Sequence, residues 1–400
     1  MTRVAPSLEH VPYSRIREIA ELAMSLDGVL ALYFGESNVP TPRFVIDAAE
    51  QALEDGHTFY SPNAGIASLR RAIASQYQRL HGAELDPTSE IVVTASGVQA
   101  LHLVLRYAVD PGDEAIILSP AWPNGSAIVR LSHGNPVEVP LLLAGDRYVI
   151  DFDALEGAIG PRTRAILLTS PSNPLGWIAS QAEQQRLLDL CRERGLWLVA
   201  DEVYERIYYG GATGEAAPSL LRLCTREDPV LVVQSFSKTY CMTGWRVGWL
   251  VGPRAVAEKL GQLNEFVISH APTFLQVAAE AAIEQGESWV GQMVESFRAN
   301  RDYCAEAVAA MPGVALPRPD GAFYLFPRIE GLVDSFDFCR RLLLEERVGV
   351  APGSAFGAGG EGSIRICYAA DRSVLEPALD RLGRFLGAEV PAGGGGTGAG

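Results

Sequence analysis

The sequence predicts an α/β protein with a mostly parallel sheet between helices. Between residues 90 and 240 short apolar runs alternate with helical stretches, the pattern of βαβ units feeding one sheet. The runs are continuous rather than alternating, as strands covered on both faces require. A chain of 400 residues also exceeds what one core usually holds, so a second, smaller unit is expected.

In order, the expected strands are 90–94 (EIVVT), 114–119 (EAIILS), 164–169 (RAILLT), 196–200 (LWLVA) and 230–234 (VLVVQ). Residues 98–108 and 181–194 carry apolar positions at helical spacing, and Asp110-Pro111-Gly112-Asp113 marks a turn. Beyond Gly286 a long helix is expected over 288–311, followed by the run 321–326 (GAFYLF). A helix near 336–347, a Pro352-Gly353 turn, a strand at 363–368 and a last helix at 374–386 complete the pattern. Residues 392–400 are nearly all glycine and are expected to be disordered.

Charge narrows the function. With 33 basic against 48 acidic residues the net charge is −15, which repels nucleic acid and anionic membrane surfaces. Neither is an expected partner, and any phosphate must be held locally. The six cysteines (Cys191, Cys224, Cys241, Cys304, Cys339, Cys367) are scattered without a C-x-x-C pair, so neither a disulfide framework nor a metal site is expected. No apolar signal core opens the chain, and a cytoplasmic location is the expectation. Only two basic residues, Lys238 and Lys259, are lysines.

Ligands of open α/β sheets bind beyond the carboxyl ends of the strands, and the unusual polar residues fall there. After the first strand, Ser96, Gly97 and Val98 open a helix whose free N–H groups can seat an anion. Trp122 follows the second strand and Asn173 the third; Asp201 and Tyr204 follow the fourth; Ser235, Ser237 and Lys238, then Arg246, follow the fifth. Alone, Trp122 reads as packing and Asp201 as a helix cap. An amine, a carboxylate, a phenol, an amide, an indole and an anion seat around one crevice suit pyridoxal 5′-phosphate. The lysine forms a Schiff base with its aldehyde and the carboxylate keeps its ring nitrogen protonated. A literal G-x-G-x-x-G at 357–362 precedes a strand rather than a helix, so it is read as a flexible loop.

These segments resemble the class I aminotransferases of PLP fold type I, close to the aspartate aminotransferase group. The likeness rests on YSPNAGIASLR from Tyr60, SGVQAL from Ser96, SPSNPLG from Ser170, DEVY from Asp201, SFSKTYCMTGWRVG from Ser235, GAFYLFP from Gly321 and SIRICYAA from Ser363. It implies that Lys238 carries the cofactor, Asp201 pairs with the ring nitrogen, Tyr204 and Asn173 contact the ring oxygen, and Trp122 stacks on the ring. It assigns the phosphate to Ser96, Gly97, Val98, Ser235, Ser237 and Arg246, with Tyr60 reaching the phosphate of a neighbouring subunit in a homodimer with shared sites. It assigns the substrate carboxylate to Arg365, although an arginine in a strand is ordinarily a solvated edge residue, and places Gly35 at the substrate with Asn173 and Trp122.

The resemblance also implies a large cofactor domain at 46–286 and a smaller α+β domain built from both chain ends, 1–45 and 287–391. The implied reaction moves the amino group of an L-amino acid to a 2-oxo acid such as 2-oxoglutarate by a ping-pong route. Lys238 then serves as base, its pKa lowered by cationic neighbours. Val98 stands where some aspartate-specific members carry lysine, which favours a neutral, apolar or aromatic donor. Competing expectations are a β-lyase or oxidase on the same scaffold and, outside catalysis, a ligand sensor or a silent scaffold.

Overall fold

A computed structural model describes residues 11–212 and 214–389; the glycine-rich end lies outside the described residues. The first helix, α1 (Arg15–Met24), is capped by the Ser14 side chain, which accepts from the Arg17 N–H.

Among the described residues one sheet has seven strands: β1 (Ile91–Thr94), β2 (Glu114–Ser119), β3 (Asn135–Pro140), β4 (Thr163–Thr169), β5 (Trp197–Asp201), β6 (Val230–Ser235) and β7 (Gly248–Val251). Their spatial order is β1-β7-β6-β5-β4-β2-β3. β7 runs antiparallel to both β1 and β6, and the other pairings are parallel. Successive side chains alternate between two cores, one on each face: Ile116, Leu118, Val232 and Trp249 pack in one, Ala115, Ile117, Leu231 and Leu250 in the other. Continuous apolar runs are therefore what this sheet needs.

Two of these strands escape the sequence reading. β3 is NPVEVP, whose prolines are tolerated because it is an edge strand paired only with β2. β7 is the four-residue GWLV, too short to stand out and outside the βαβ pattern.

Helix α2 (Gly97–Ala108) follows β1, and the long α3 (Glu287–Ala309) follows the sheet. Then come β8 (Tyr324–Leu325), α4 (Ser335–Glu346), β9 (Ala351–Pro352), β10 (Ile364–Cys367) and α5 (Arg372–Glu389). The three strands form an antiparallel sheet in the order β8-β10-β9. The N-terminal segment joins this group: α1 packs on α4, and Leu30–Ala31 pairs in parallel with Val348–Gly349.

Two local expectations are corrected. Pro352 ends β9, and a 3-10 turn (Gly353–Phe356) follows it. The loop at 357–362 is pinned rather than slack: the Ala358 N–H donates to Glu138 Oε2 at 2.6 Å, and the backbones of Gly353 and Gly360 approach too closely to admit a Cβ. Among the described residues no helix is long and apolar enough to cross a membrane, and all six cysteines are free.

Candidate active site

The parallel strands end at one rim of the sheet: Thr169 at the end of β4 faces Asp201 at the end of β5, and Asp201 faces Val233, two residues before β6 ends. A cavity of about 590 Å³ opens there, between the sheet and the C-terminal elements. Gly35, Gly97, Val98, Trp122, Asn173, Asp201, Tyr204, Ser235, Ser237, Lys238, Arg246 and Arg365 all line it. Ser96 sits behind this wall as the buried cap of α2. Tyr60 does not reach the cavity; it is 91% exposed and meets the His270 ring edge-on.

Lys238 lies in a single turn of helix (Phe236–Thr239) directly after β6. That turn is fixed by Ser235, whose Oγ accepts from the Ser237 N–H at 3.1 Å. Lys238 Nζ donates to the Gly35 carbonyl at 2.5 Å. Burial pushes its pKa down to about 8, with Arg365 and Arg246 acting in the same direction and Cys367 and Glu36 opposing them. The expected cause is thus corrected. Loss of hydration by the ammonium outweighs the cationic neighbours.

Asp201, the last residue of β5, is buried and accepts from the Val203 N–H at 3.3 Å. Burial pushes its pKa up to about 6 against that bond and the Lys238 charge. Among the described residues no cation forms an ion pair with it, and a buried carboxylate in that condition favours a positive group beside it.

The start of α2 is shaped as an anion seat. Ser96 adopts φ 113° and ψ 160°, a region costly for a residue with a side chain, and its Oγ accepts from the Gln99 N–H at 3.2 Å. β7 crosses so near that a Cβ on Gly248 would lie 2.5 Å from the Gly97 nitrogen and 2.6 Å from the Gln234 carbonyl. Only glycine fits. Arg246 holds a left-handed backbone, φ 54°, and its Nη1 donates to the Thr243 carbonyl at 2.5 Å. Helix N–H groups, two serine hydroxyls and a guanidinium suit a phosphate.

Arg365, on β10, is only 2% exposed, which excludes the solvated-edge reading. Its Nη1 donates to Asn173 Oδ1 at 2.9 Å and its Nη2 to the Tyr33 carbonyl. The guanidinium lies over the rings of Tyr324 at 4.5 Å and Phe356 at 5.0 Å, and Nε is buried without a partner. A buried guanidinium with one unsatisfied donor is suited to a carboxylate partner.

Tyr324 lines the cavity without having been assigned a role from sequence. Its hydroxyl is 2.6 Å from that of Tyr204, and burial raises both phenols, so both stay protonated. It also blocks any Cβ at Gly35. The available signal was strand register: Tyr324 faces Cys367, two residues beyond Arg365 on the same face of β10. Tyr13 and Arg17 of the N-terminal segment also line the cavity; their sequence gave no sign of it, because α1 reads as an ordinary amphipathic helix.

Residues 28–382 match the family of aminotransferases class I and II. The chain is 35% identical over 382 residues to an aromatic-amino-acid aminotransferase of Thermococcus litoralis, covering 95% of this chain and 97% of that protein. It is 33% identical to an aspartate aminotransferase of Pyrococcus horikoshii, covering 94% and 95% respectively. The crystal structure of an aspartate aminotransferase from Thermotoga maritima superposes with a TM-score of 0.88 at 32% identity, over 96% of this chain and all of that one (100%). The chain therefore belongs to the class I and II aminotransferases, has the aspartate aminotransferase-like fold, and is an enzyme that transfers amino groups between amino acids and oxo acids.

Proposed function

We propose that this aminotransferase works with pyridoxal 5′-phosphate and moves the amino group of a neutral, apolar or aromatic L-amino acid to a 2-oxo acid such as 2-oxoglutarate in a ping-pong cycle. One observation carries the reading: a buried amine (Lys238), a buried carboxylate (Asp201) and a buried guanidinium (Arg365) share one cavity, and among the described residues Asp201 has no ion-pair partner and Arg365 Nε no acceptor. The residues fit the cofactor. Lys238 would hold its aldehyde end, Asp201 its ring nitrogen, Tyr204 and Asn173 its ring oxygen, and Trp122 its ring face. Ser96, Gly97, Val98, Ser235, Ser237 and Arg246 would hold its phosphate.

When bound, the cofactor supplies an aldehyde that takes up the amino group and a cationic ring that absorbs the electron pair left at Cα. The chain's residues do the rest. Arg365 grips the α-carboxylate and, held by Asn173 and Tyr33, fixes the substrate's orientation. Lys238 Nζ, whose pKa of about 8 leaves a usable neutral fraction near neutral pH, takes the Cα proton and later returns one. Asp201 keeps a proton on the ring nitrogen by its negative charge. Gly35 offers its backbone beside the substrate.

The uncharged wall of Val98, Leu101, Trp122 and Phe34 supports an apolar or aromatic donor. Phe59, Tyr60 and Phe266, 81%, 91% and 87% exposed, support a homodimer in which Tyr60 reaches the neighbouring phosphate. The division into 1–45 with 287–391 and 46–286 is supported by the pairing of Leu30–Ala31 with Val348–Gly349. Free thiols suit the cytoplasm.

The test is turnover with single amino acids, with and without 2-oxoglutarate. The reading expects sustained product only when both are present. Ammonia or peroxide released without a 2-oxo acid would instead favour a β-lyase or an oxidase.

A further inference from the structure

Tyr204 and Tyr324 line the same cavity, with their hydroxyl oxygens 2.6 Å apart. Both residues are buried, their rings meet edge-on at 5.7 Å, and Phe323 braces the two, 5.4 Å from Tyr204 and 4.9 Å from Tyr324. A phenol carries one proton, so the pair holds two donors. Burial raises both pKa values and keeps both protons in place. One proton is used in the bond between the two oxygens, and among the described residues neither hydroxyl has another hydrogen-bond partner. One buried O–H is left for whatever enters the cavity. Packing alone does not call for it, because a phenylalanine ring would fill the same space beneath Arg365, whose guanidinium lies 4.5 Å from the Tyr324 centroid.

The bond can be made in two directions, and they leave the spare donor in different places. If Tyr204 donates, the spare proton is on Tyr324, beside Gly35, where the phenol already blocks any Cβ. If Tyr324 donates, the spare proton is on Tyr204. That hydroxyl belongs to the loop directly after Asp201, and Lys238 Nζ lies 5.7 Å from the centroid of its ring. Only the second direction offers a donor between the two residues assigned to the ring nitrogen and the aldehyde.

We infer that Tyr324 is a positioning residue acting through Tyr204: its hydroxyl donates to the Tyr204 oxygen, which commits the Tyr204 proton to the cofactor's ring oxygen. The inference rests on the cofactor reading above and adds a residue to it. A hydroxyl that accepts one hydrogen bond donates the next more strongly, so the relay strengthens the bond to the ring oxygen. A donor there favours the more negative state of the cofactor, reached when the Schiff-base nitrogen gives up its proton, and lowers the pH at which this happens. The charged and titratable groups facing the pair are Arg365, Asp201, Cys367 and Lys238. All four stay in place in the variants that test it.

The test titrates the visible absorbance of the cofactor-loaded enzyme against pH in the native chain, Tyr324→Phe, Tyr204→Phe and the double variant. Tyr324→Phe is expected to raise the midpoint by about half a unit, the size of one modest hydrogen bond, and Tyr204→Phe to raise it further. The double variant is expected to match Tyr204→Phe alone, because Tyr324 reaches the ring oxygen only through Tyr204. A midpoint unmoved in Tyr324→Phe, or a second full shift when it is added to Tyr204→Phe, overturns the inference while amino transfer itself still stands. A native enzyme without a visible band overturns the cofactor reading as well.

Discussion

Arg365 Nη1 and Asn173 Oδ1, 2.9 Å apart, tie strand β10 to the loop that follows β4. The bond holds a buried guanidinium at the cavity while leaving its Nε edge free.

Replacing Arg365 by lysine keeps the charge and removes the planar fork. The variant is expected to lose about 100-fold in kcat/KM, or about 3 kcal/mol, for every amino and oxo acid alike. Steady-state kinetics with two donors of different side chain check this; a loss confined to one donor would point to a side-chain contact instead.

Asp201 titrates near 6 in the folded chain against an ordinary value of 3.8. The folded state keeps a proton that the unfolded state releases between these values, so this residue's contribution to stability is fully present below pH ~4 and is lost as pH rises through about 6. The cofactor-free Asp201→Asn variant is therefore expected to exceed the parent by about 2–3 kcal/mol at pH 8, with the gap closing toward pH 4, while binding the cofactor more weakly. Thermal unfolding at the two pH values and a cofactor titration read both effects.

Gly248→Ala forces a methyl against the Gly97 nitrogen and the Gln234 carbonyl, both backbone atoms. The expected result is a loss of about 1–3 kcal/mol in stability together with weaker phosphate binding, since α2 must shift. Gly244→Ala, where a Cβ meets nothing within 4 Å, serves as the matched control by denaturant unfolding and phosphate titration.

Phe266→Asp places a charge at an aromatic position that is 87% exposed. Light scattering is expected to show two chains for the native enzyme and one for the variant, whose activity falls with the loss of the shared site. A native monomer with full activity would contradict the dimer reading.

The sheet was legible because its strands are buried on both faces, and five of its seven strands announce themselves as apolar runs. β3 was hidden by prolines that an edge strand tolerates, and β7 by its brevity. Residues on loops after strands could be assigned to one crevice from order alone, and the register brings them there. What the sequence concealed depends on tertiary meeting. Tyr324 reaches Tyr204 across 120 positions, and Arg17 reaches the mouth only because α1 docks beside the C-terminal elements. The cause of the Lys238 shift was hidden for the same reason, since neighbouring charges can be guessed from motifs but burial cannot.

The most direct measurement exploits a chain with two lysines, Lys238 and Lys259. Borohydride reduction of the cofactor-loaded enzyme, digestion and peptide mass mapping are expected to find the phosphopyridoxyl group on the Lys238 peptide, and no labelled peptide in Lys238→Ala. A label on Lys259, or a Lys238→Ala enzyme that still turns over at the native rate, would contradict the placing of the reactive amine at the end of β6.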